Sequence, residues 1–355
     1  MKPALRILII DDSRTVAMLL QALFDDEPDM EVVGIASDGA EGVSMARKLH
    51  PDVITMDIRM PTMDGFIATR EIMSSSPIPI VVISSNIDQE ELKITFRAIE
   101  EGALAVIEKP YGISHPDFEK VRSRIVDTVR AMADVKVVRH RRFSPPTGHR
   151  GRRTIESHLK VHPFQVLALA ASTGGPKVLK TLLSQLPEVF PLPILVVQHI
   201  AKGFVEGMVA WLDQACALNV RIAKSMDRLH AGEVLFAKDD AHMVLRKRID
   251  GSLYVDYIEG EKENYQRPSA DPLFRSVAEA CGRYALAGVF TGMGEDGAKG
   301  LLAIHQAGGE TFAQDPASCI VPGMPERAMA EGAVGQMLTL EEVSLLLAEA
   351  SAVSN

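Results

Sequence analysis

Apolar runs and amphipathic segments alternate along the first 132 residues. Five short runs are rich in aliphatic and β-branched residues, namely "RILIID", "EVVGIA", "DVITMD", "IPIVVIS" and "AVIEK". The segments that follow them carry apolar residues at helical spacing and predict helices over residues 13–24, 39–49, 65–74, 88–101 and 116–132. Short β-rich runs that alternate with helices are typical of a parallel sheet covered on both faces. The pattern therefore predicts five β/α units around a five-stranded parallel sheet.

A second alternating pattern begins near residue 161. Its predicted strands are "FQVLALA", "PILVVQH", "EVLFA" and "YALAGVF". Its predicted helices are "PKVLKTLLSQL", "GFVEGMVAWLDQAC", "DPLFRSVAEACG" and "LEEVSLLLAEA". This pattern indicates a second, doubly wound α/β domain. We expect one domain over residues 1–132, a linker over 133–160 and a second domain over 161–350.

The predicted linker, residues 133–160, shows no sustained period and contains a Pro-Pro pair and two glycines. Residues 134–160 include eight Lys or Arg and two Asp or Glu, which is a net charge of +6. Such a composition is typical of a flexible, solvated hinge. A second interpretation is a basic docking segment for an acidic partner. Both interpretations remain open at this point.

Length and composition agree with two globular domains. The chain has 355 residues, of which 46% are hydrophobic and 24% are charged. Its net charge of -9 argues against a protein that wraps nucleic acid. Three cysteines without paired spacing predict neither a disulfide framework nor a zinc site. The first apolar run is too short for a signal peptide, and no run reaches the ~18 residues of a membrane span, so we expect a cytoplasmic protein without membrane insertion.

Polar side chains follow the predicted strands of the first domain. Asp11 and Asp12 end the first strand, Asp57 ends the third, Ser84 ends the fourth and Lys109 ends the fifth. The carboxyl ends of parallel strands meet in one crevice. Three carboxylates in one crevice repel one another unless a hard cation such as Mg²⁺ joins them, and a lysine beside them can neutralise a phosphoryl group. The set predicts Mg²⁺-dependent phosphoryl transfer to Asp57, whereas any one aspartate alone is better explained as a helix cap.

The first domain resembles the receiver domain of two-component response regulators, through "IIDDS", "TMDIRMPTMDG", "VVISS" and "EKP". The resemblance implies a flavodoxin-like fold with Asp57 as the phospho-acceptor. It further implies Mg²⁺ on Asp12, Asp57 and the backbone carbonyl of Arg59, with Asp11 supporting the metal through water. The phosphoryl contacts that it implies are Ser84 and Lys109.

The stretch "VLALAASTGGP" ends a buried strand at a serine, Ser172. A serine at the start of a helix lies near free backbone N–H groups, and a nucleophilic serine needs a base and a group that orients the base. His199 ends another predicted strand, and Asp296 lies in a glycine-rich loop after a third. Each residue also has another explanation that stays open. Ser172 and the glycines after it could form a phosphate or dinucleotide loop, His199 could be a structural histidine and Asp296 could be a turn residue. The motif is not G-x-S-x-G, and the order Ser-His-Asp differs from that of α/β-hydrolases.

The second domain resembles the catalytic domain of the chemotaxis protein-glutamate methylesterases, the CheB family. The matching stretches are "ASTGGP", "VVQHI", "RPSADPLFRSVA", "TGMGEDG" and "DPASCIVPGMPERAMAEGAV". The resemblance implies the triad Ser172, His199 and Asp296, with Thr173 and Met293 lining the site and oxyanion donors near Met293 and His199. Two segments depart from the family pattern, "IAKGF" at 200–204 and "AKDDAHM" at 237–243. They lie near the expected substrate cleft and concern receptor preference.

The two resemblances together imply a phosphorylation-activated serine hydrolase. Its substrates would be glutamate methyl esters, and also glutamines, on the cytoplasmic helices of methyl-accepting chemoreceptors. The implied phosphodonor is a chemotaxis histidine kinase, with Mg²⁺ in the receiver and no cofactor in the esterase site. We expect the unphosphorylated receiver to cover the catalytic cleft. The alternatives are a receiver-controlled binding module with an inactive output domain and a nucleotide- or DNA-binding output, which lacks support because the second domain has no Walker A motif and no basic recognition helix.

Overall fold

The computed structural model describes residues 3–84, 89–110, 112, 114–135 and 164–353. The chain separates into two compact units, Met1–Gly151 and Arg152–Asn355. Most of the predicted basic linker lies outside the described residues, so both interpretations of it stay predictions, as do the three domain boundaries. Within the described ranges, no helix is both long enough and apolar enough to cross a membrane.

The first unit contains one five-stranded sheet in the order β2-β1-β3-β4-β5, and every neighbouring pair is parallel. Its strands are β1 (Leu5–Ile10), β2 (Met30–Ala36), β3 (Val53–Met56), β4 (Ile80–Ser84) and β5 (Ala105–Glu108). Its helices are α1 (Arg14–Asp25), α2 (Gly39–Leu49), α3 (Gly65–Ser75), α4 (Gln89–Glu100) and α5 (Phe118–Ala133). The predicted flavodoxin-like parallel sheet is confirmed, with element ends that differ from the prediction by one or two residues at most positions.

Helix starts in the first unit follow local side-chain chemistry. Asp38 caps α2 by accepting the N–H of Glu41 at 2.9 Å, and Asp64 caps α3 by accepting the N–H of Ile67 at 2.8 Å. Such caps satisfy backbone donors that have no partner inside the helix. These capping aspartates are not the ones that end the strands. The strand-end residues Asp11 and Asp57 are therefore left for another role.

The second unit contains a seven-stranded sheet in the order β14-β13-β12-β6-β7-β9-β8, again parallel throughout, and a separate antiparallel pair, β10-β11. The strands are β6 (Val166–Ala171), β7 (Ile194–Gln198), β8 (Asn219–Ile222), β9 (Glu233–Phe236), β10 (His242–Lys247), β11 (Leu253–Ile258), β12 (Ala285–Val289), β13 (Glu310–Gln314) and β14 (Gln336–Leu338). The helices are α6 (Gly175–Leu183), α7 (Val205–Ala215), α8 (Ala270–Cys281), α9 (Ala298–Gln306), α10 (Gly323–Ala330) and α11 (Leu340–Val353). The predicted doubly wound α/β domain is confirmed.

The four predicted strands of this domain correspond to β6, β7, β9 and β12, and the four predicted helices to α6, α7, α8 and α11. The sequence pattern did not mark β8, β10, β11, β13, β14, α9 or α10. Several of these elements are short: β14 has three residues and β8 has four. A run of that length is too brief to display a period of its own.

The order of the central strands places the second predicted site. All six residues of β6 are buried, and β6 lies between β12 and β7. Ala171 at the end of β6 is in register with Gln198 at the end of β7, and Val289 of β12 is in register with Ala170. Because the three strands are parallel and end together, the residues that follow them meet at one edge of the sheet.

Candidate functional site

The predicted phosphoryl pocket in the first unit is assembled. Carboxylate oxygens of Asp11, Asp12 and Asp57 lie within 4.8 Å of one another, and only Asp12 is exposed. The ammonium Nζ of Lys109 lies 2.8 Å from Oδ2 of Asp57 and 3.2 Å from Oδ2 of Asp11. Ser84 is buried at the end of β4, and its carbonyl accepts the N–H of Lys109 at 3.0 Å. The five predicted residues therefore converge, as the strand ends indicated.

Burial dominates the electrostatics of this pocket. It raises the pKa of Asp57 to about 6, against the hydrogen bond from Lys109 and with a further rise from the charge of Asp11. It also raises the pKa of Asp11. Burial alone would lower the pKa of Lys109, but the two carboxylates outweigh it and raise that pKa. The lysine therefore stays charged between carboxylates that are costly to ionise together.

The donor set of the pocket fits a hard divalent cation. Its side-chain donors are carboxylate oxygens, which Mg²⁺ prefers, and a cation among them would relieve the repulsion between Asp11 and Asp57. The predicted part of the Arg59 carbonyl stays a prediction. A phosphoryl group on Asp57 would lie next to the ammonium of Lys109 and next to any cation that the carboxylates hold. Both positive charges would neutralise it.

In the second unit, two glycines shape the turn that carries Ser172. Gly174 has a φ of 81°, in the left-handed region that glycine adopts without strain. A Cβ at Gly175 would lie 2.7 Å from the Cβ of Ala171, so only glycine lets α6 begin this close to β6. The N–H of Ser172 donates to the carbonyl of Thr291 at 3.0 Å, which ties the turn to the loop after β12. The glycines thus make the turn, and the turn leaves the serine side chain half-buried at the sheet edge.

His199 and Asp296 form a close pair at the same edge. Nε2 of His199 lies 2.7 Å from Oδ2 of Asp296, and their side chains are 6% and 3% exposed. The N–H of His199 donates to the carbonyl of Ala171 at 2.9 Å, which fixes its backbone beside the serine turn. Nδ1 of His199 is buried, and among the described residues it has no hydrogen-bond partner. With Nε2 occupied by the carboxylate, Nδ1 is the ring atom that is left to accept a further hydrogen bond or a proton.

Asp296 is held by donors from a segment that is distant in sequence. Its carboxylate accepts hydrogen bonds from Oγ of Ser269 at 2.5 Å, the N–H of Ala270 at 2.7 Å and Nδ2 of Asn264 at 2.9 Å. Burial by itself would raise the pKa of Asp296, but the interactions with His199 and these donors outweigh it and lower the pKa to about 2. The carboxylate is therefore ionised at any working pH.

Sequence reasoning missed this support. In the segment "RPSADPLFRSVA", which in the sequence showed only a family match, Ser269 and Ala270 hold Asp296 from inside the protein. The only signal in the sequence is a serine before a predicted helix, which by itself indicates a cap. Ser269 does stand at the N-cap position of α8, but its side chain makes no cap hydrogen bond.

The hydrogen bonds of the backbone reduce the number of N–H groups that could bind an oxyanion. The N–H of His199 is used by Ala171, so it is not available for substrate. The carbonyl of Thr173 accepts from Oγ1 of Thr291 at 2.9 Å. No hydrogen bond within the described part of the chain uses the N–H of Thr173 or of Met293, and the Met293 side chain is 38% exposed. Both predicted lining residues therefore present an unused backbone donor.

The two segments that depart from the family pattern touch each other. The carboxylate of Asp239 accepts the N–H of Gly203 at 2.7 Å, and burial raises its pKa. Asp240 pairs with Lys202 at 2.5 Å and with Arg267 at 3.8 Å. The departures are thus one connected structure of ion pairs and hydrogen bonds on the loops next to His199 and Ser269.

Comparisons with known proteins identify the family of each unit. The CheB methylesterase family model matches residues 167–347, and the response regulator receiver domain model matches residues 7–115. Protein-glutamate methylesterase/protein-glutamine glutaminase 4 of Geobacter metallireducens is 42% identical over 342 residues, which are 95% of this chain and 96% of the relative. The corresponding protein of Nitrosospira multiformis is 41% identical over 346 residues, 97% of this chain and 96% of the relative.

A solved structure extends the agreement to the fold of the second unit. The crystal structure of the Thermotoga maritima CheB methylesterase catalytic domain is 32% identical, with a TM-score of 0.51. It covers 52% of this chain and 98% of that domain. With matches to a receiver, to a catalytic domain and to nearly full-length relatives, this chain belongs to the CheB methylesterase family and carries a response regulator receiver domain.

Proposed function

We propose that this protein is a phosphorylation-activated serine hydrolase of chemotaxis adaptation. It removes methyl groups from glutamate methyl esters, and deamidates glutamines, on the cytoplasmic helices of methyl-accepting chemoreceptors. The observation that carries the proposal is the buried pair of His199 and Asp296, 2.7 Å apart, at the sheet edge where Ser172 lies, with an Nδ1 that has no hydrogen-bond partner among the described residues. The relatives that match over nearly their full length are protein-glutamate methylesterases/protein-glutamine glutaminases, which supplies the substrate class.

The proposed reaction uses the triad in two steps. Oγ of Ser172 attacks the ester carbonyl carbon while Nδ1 of His199 takes the hydroxyl proton. The tetrahedral intermediate collapses, and methanol, or ammonia from a glutamine, leaves with that proton. Water then attacks the acyl-serine with His199 again as the base, which releases a glutamate side chain and restores the serine. Asp296 keeps the proton on Nε2 and stabilises the imidazolium, and its low pKa supports that part.

The proposed switch is phosphorylation of Asp57 by a chemotaxis histidine kinase. A carboxylate oxygen of Asp57 takes the phosphoryl group from the phosphohistidine, and Lys109 and Ser84 contact the oxygens of that group. Asp11, Asp12, Asp57 and the carbonyl of Arg59 are the residues that would hold Mg²⁺, and the bound cation would supply positive charge beside the transferring group. The convergence of Lys109 with two carboxylates supports this assignment.

The proposed organisation keeps the three predicted segments. Residues 1–132 form the receiver, residues 133–160 the basic linker and residues 161–350 the catalytic domain, and the protein works in the cytoplasm. The two family matches, at 7–115 and 167–347, fall inside the first and third segments.

One experiment separates this function from a receiver-controlled binding module with an inactive output domain. Methanol release from methylated receptor membranes is measured for wild type, Ser172→Ala and Asp57→Asn, with and without a small-molecule phosphodonor and Mg²⁺. We expect wild type to be active and stimulated, Ser172→Ala to lose at least about 10³-fold and Asp57→Asn to ignore the phosphodonor. Equal methanol release from wild type and Ser172→Ala would instead favour the binding module.

A further inference from the structure

Gln198 connects two residues of the proposed triad. It is the last residue of β7, it is 5% exposed, and its amide Nε2 donates to the carbonyl of Ser172 at 2.8 Å and to the carbonyl of His199 at 2.8 Å. We infer that Gln198 is a positioning residue that aims the N–H groups of Thr173 and Ile200 at the cleft. These two N–H groups then bind the oxyanion of the tetrahedral intermediate. The inference rests on the proposed hydrolase function.

The direction of the two N–H groups follows from peptide geometry. In a trans peptide the carbonyl and the following N–H point in opposite directions. Gln198 draws the carbonyls of Ser172 and His199 toward the buried side, so the N–H groups of Thr173 and Ile200 turn away from it, toward the exposed side. Both residues are half-buried, and no hydrogen bond in the described ranges uses either N–H.

The two donors lie on the loops that follow two adjacent strands. One belongs to the residue after Ser172 and the other to the residue after His199, and these follow the adjacent strands β6 and β7. One amide therefore holds both carbonyls, and the N–H of Gly175 also donates to that of Ser172. Donors that are held in place before the reaction need no reorganisation as charge develops, which is the basis of oxyanion stabilisation.

A purely structural role does not explain why this side chain is glutamine. Its Oε1 is buried and has no hydrogen-bond partner in the described structure, which is an unfavourable state for an amide. A Cβ at Gly175 would lie 2.1 Å from that Oε1, so the first residue of α6 is a glycine where the amide needs room. An apolar side chain of the same length would avoid the buried orphan acceptor. What glutamine adds is the pair of N–H donors.

The test is Gln198→Met, which keeps length and apolar bulk and removes both donors. The carbonyl of Ser172 still accepts the N–H of Gly175 at 2.8 Å, so only the carbonyl of His199 loses its partner and the stability loss stays small. The matched control is Thr311→Val. Thr311 lies on β13, is similarly buried, and accepts the N–H of Gly335 through its Oγ1. Gln198→Glu, which replaces the donors with a carboxylate, is the second variant.

The full-length protein is assayed by methanol release from methylated receptor membranes. Rates are divided by the number of serines that react with a fluorophosphonate, which removes unfolded protein from the comparison. The inhibition constant of butylboronic acid is measured in the same assay, because its tetrahedral adduct with the serine places an oxygen in the oxyanion site.

For Gln198→Met and Gln198→Glu we expect kcat per titrated serine to fall about 10- to 100-fold, with KM changed less than about twofold. The boronate inhibition constant should rise by the same factor, and Thr311→Val should leave both within about twofold of wild type. A kcat within about twofold of wild type for both Gln198 variants overturns the inference, as does a loss of kcat without a matching loss of boronate affinity. If wild type itself releases no methanol that depends on Ser172, the proposed function fails and the inference fails with it.

Discussion

The two sites each centre on a buried aspartate at the carboxyl edge of a parallel sheet, yet their environments move the two pKa values in opposite directions. Asp57 has a pKa raised to about 6, whereas Asp296 has a pKa lowered to about 2. Asp57 accepts one N–H from Ile58 at 2.7 Å and one from Lys109, and it has a second carboxylate beside it. Asp296 also has a carboxylate nearby, that of Asp271, but it accepts four strong hydrogen bonds, including one from His199.

The difference matches what each carboxylate is proposed to do. A phospho-acceptor must form a covalent bond, so hydrogen bonds cannot occupy all the acceptor positions of its oxygens. The positions that are left are available to a cation and a phosphoryl group. A carboxylate that only orients a base forms no covalent bond, so hydrogen-bond donors of the protein can occupy all of its acceptor positions. Burial is common to both sites, and the number of donors decides which way the pKa moves. Removing a donor or a charge from either site tests this comparison, and so does a change in the turn that carries one of the donors.

The largest effect is expected for Asp296→Asn. An amide at this position can donate to Nε2 of His199, which moves the ring proton to Nδ1 and removes the base that faces Ser172. We expect kcat per mole of folded protein to fall about 10³- to 10⁴-fold. Phosphoryl incorporation at Asp57 should not change. A fall of less than about tenfold would show that the orientation of His199 does not depend on this carboxylate.

The corresponding change in the receiver is Lys109→Met. Loss of the ammonium raises the pKa of Asp57 further, because only the N–H of Ile58 then opposes burial and Asp11, and the phosphoryl group loses a counter-charge. We expect phosphoryl incorporation from a small-molecule donor to fall at least about tenfold, with hydrolysis in the absence of donor unchanged. Lys120→Met, at an exposed position on α5, is the control and should incorporate like wild type. Equal incorporation in both variants would remove Lys109 from the phosphoryl site.

A smaller effect is expected for Ser269→Ala, which removes one of the four hydrogen bonds to Asp296. A hydrogen bond to a charged group contributes about 1.5–3 kcal/mol, so we expect that loss in the free energy of unfolding at pH 7 and a fall in kcat of about tenfold. Ser276→Ala is the control, because its buried Oγ bonds the N–H of Leu245 and the carbonyl of Leu273 away from the triad. It should lose similar stability and keep kcat.

The same variant has a signature in acid. The pKa of Asp296 is lower in the folded protein than in the unfolded chain, so its contribution to stability is complete above about pH 4 and is lost as pH falls through about 2. Ser269→Ala raises the folded pKa, and the stability difference from wild type should shrink from pH 4 to pH 2. Urea unfolding at several pH values measures this difference. A difference that is constant across this range would mean that Ser269 does not act through the charge of Asp296.

The contrast between the sites also explains what the sequence could predict. Asp11, Asp57 and Lys109 were predictable because each follows a strand directly, and all strands of a parallel sheet have their carboxyl ends at the same edge. Ser269 and Asn264 were not, because they reach Asp296 across 27 and 32 residues of chain, and no local pattern encodes such a hydrogen bond. Gln198 is intermediate between these cases. Its strand was predicted, but side chains at a strand end alternate between the two faces of the sheet. Packing decides that the Gln198 side chain points toward the carbonyls of Ser172 and His199.

The smallest effect concerns the turn that delivers Asn264 to Asp296. Glu263 and Gln266 exchange backbone hydrogen bonds at 3.1 and 2.9 Å, and between them Asn264 and Tyr265 have φ angles of 51° and 64°. Asparagine tolerates this region, but a tyrosine in it costs about 1–2 kcal/mol, and its side chain is 91% exposed. Tyr265→Gly removes that cost but adds about 0.4–1 kcal/mol of unfolded-chain entropy, so we expect a net gain of about 0.5–1 kcal/mol in urea unfolding.

The rate measured for Tyr265→Gly sharpens the comparison as much as its stability does. Asn264 and its hydrogen bond to Asp296 are untouched by the change, so kcat on a small ester should stay within about twofold of wild type. Tyr265→Phe, which keeps the φ cost and removes only the hydroxyl, should match wild type in stability. If Tyr265→Gly instead loses both stability and rate, the turn holds Asn264 only because the tyrosine restricts it, and the saturation of Asp296 then depends on backbone strain as well as on the number of donors.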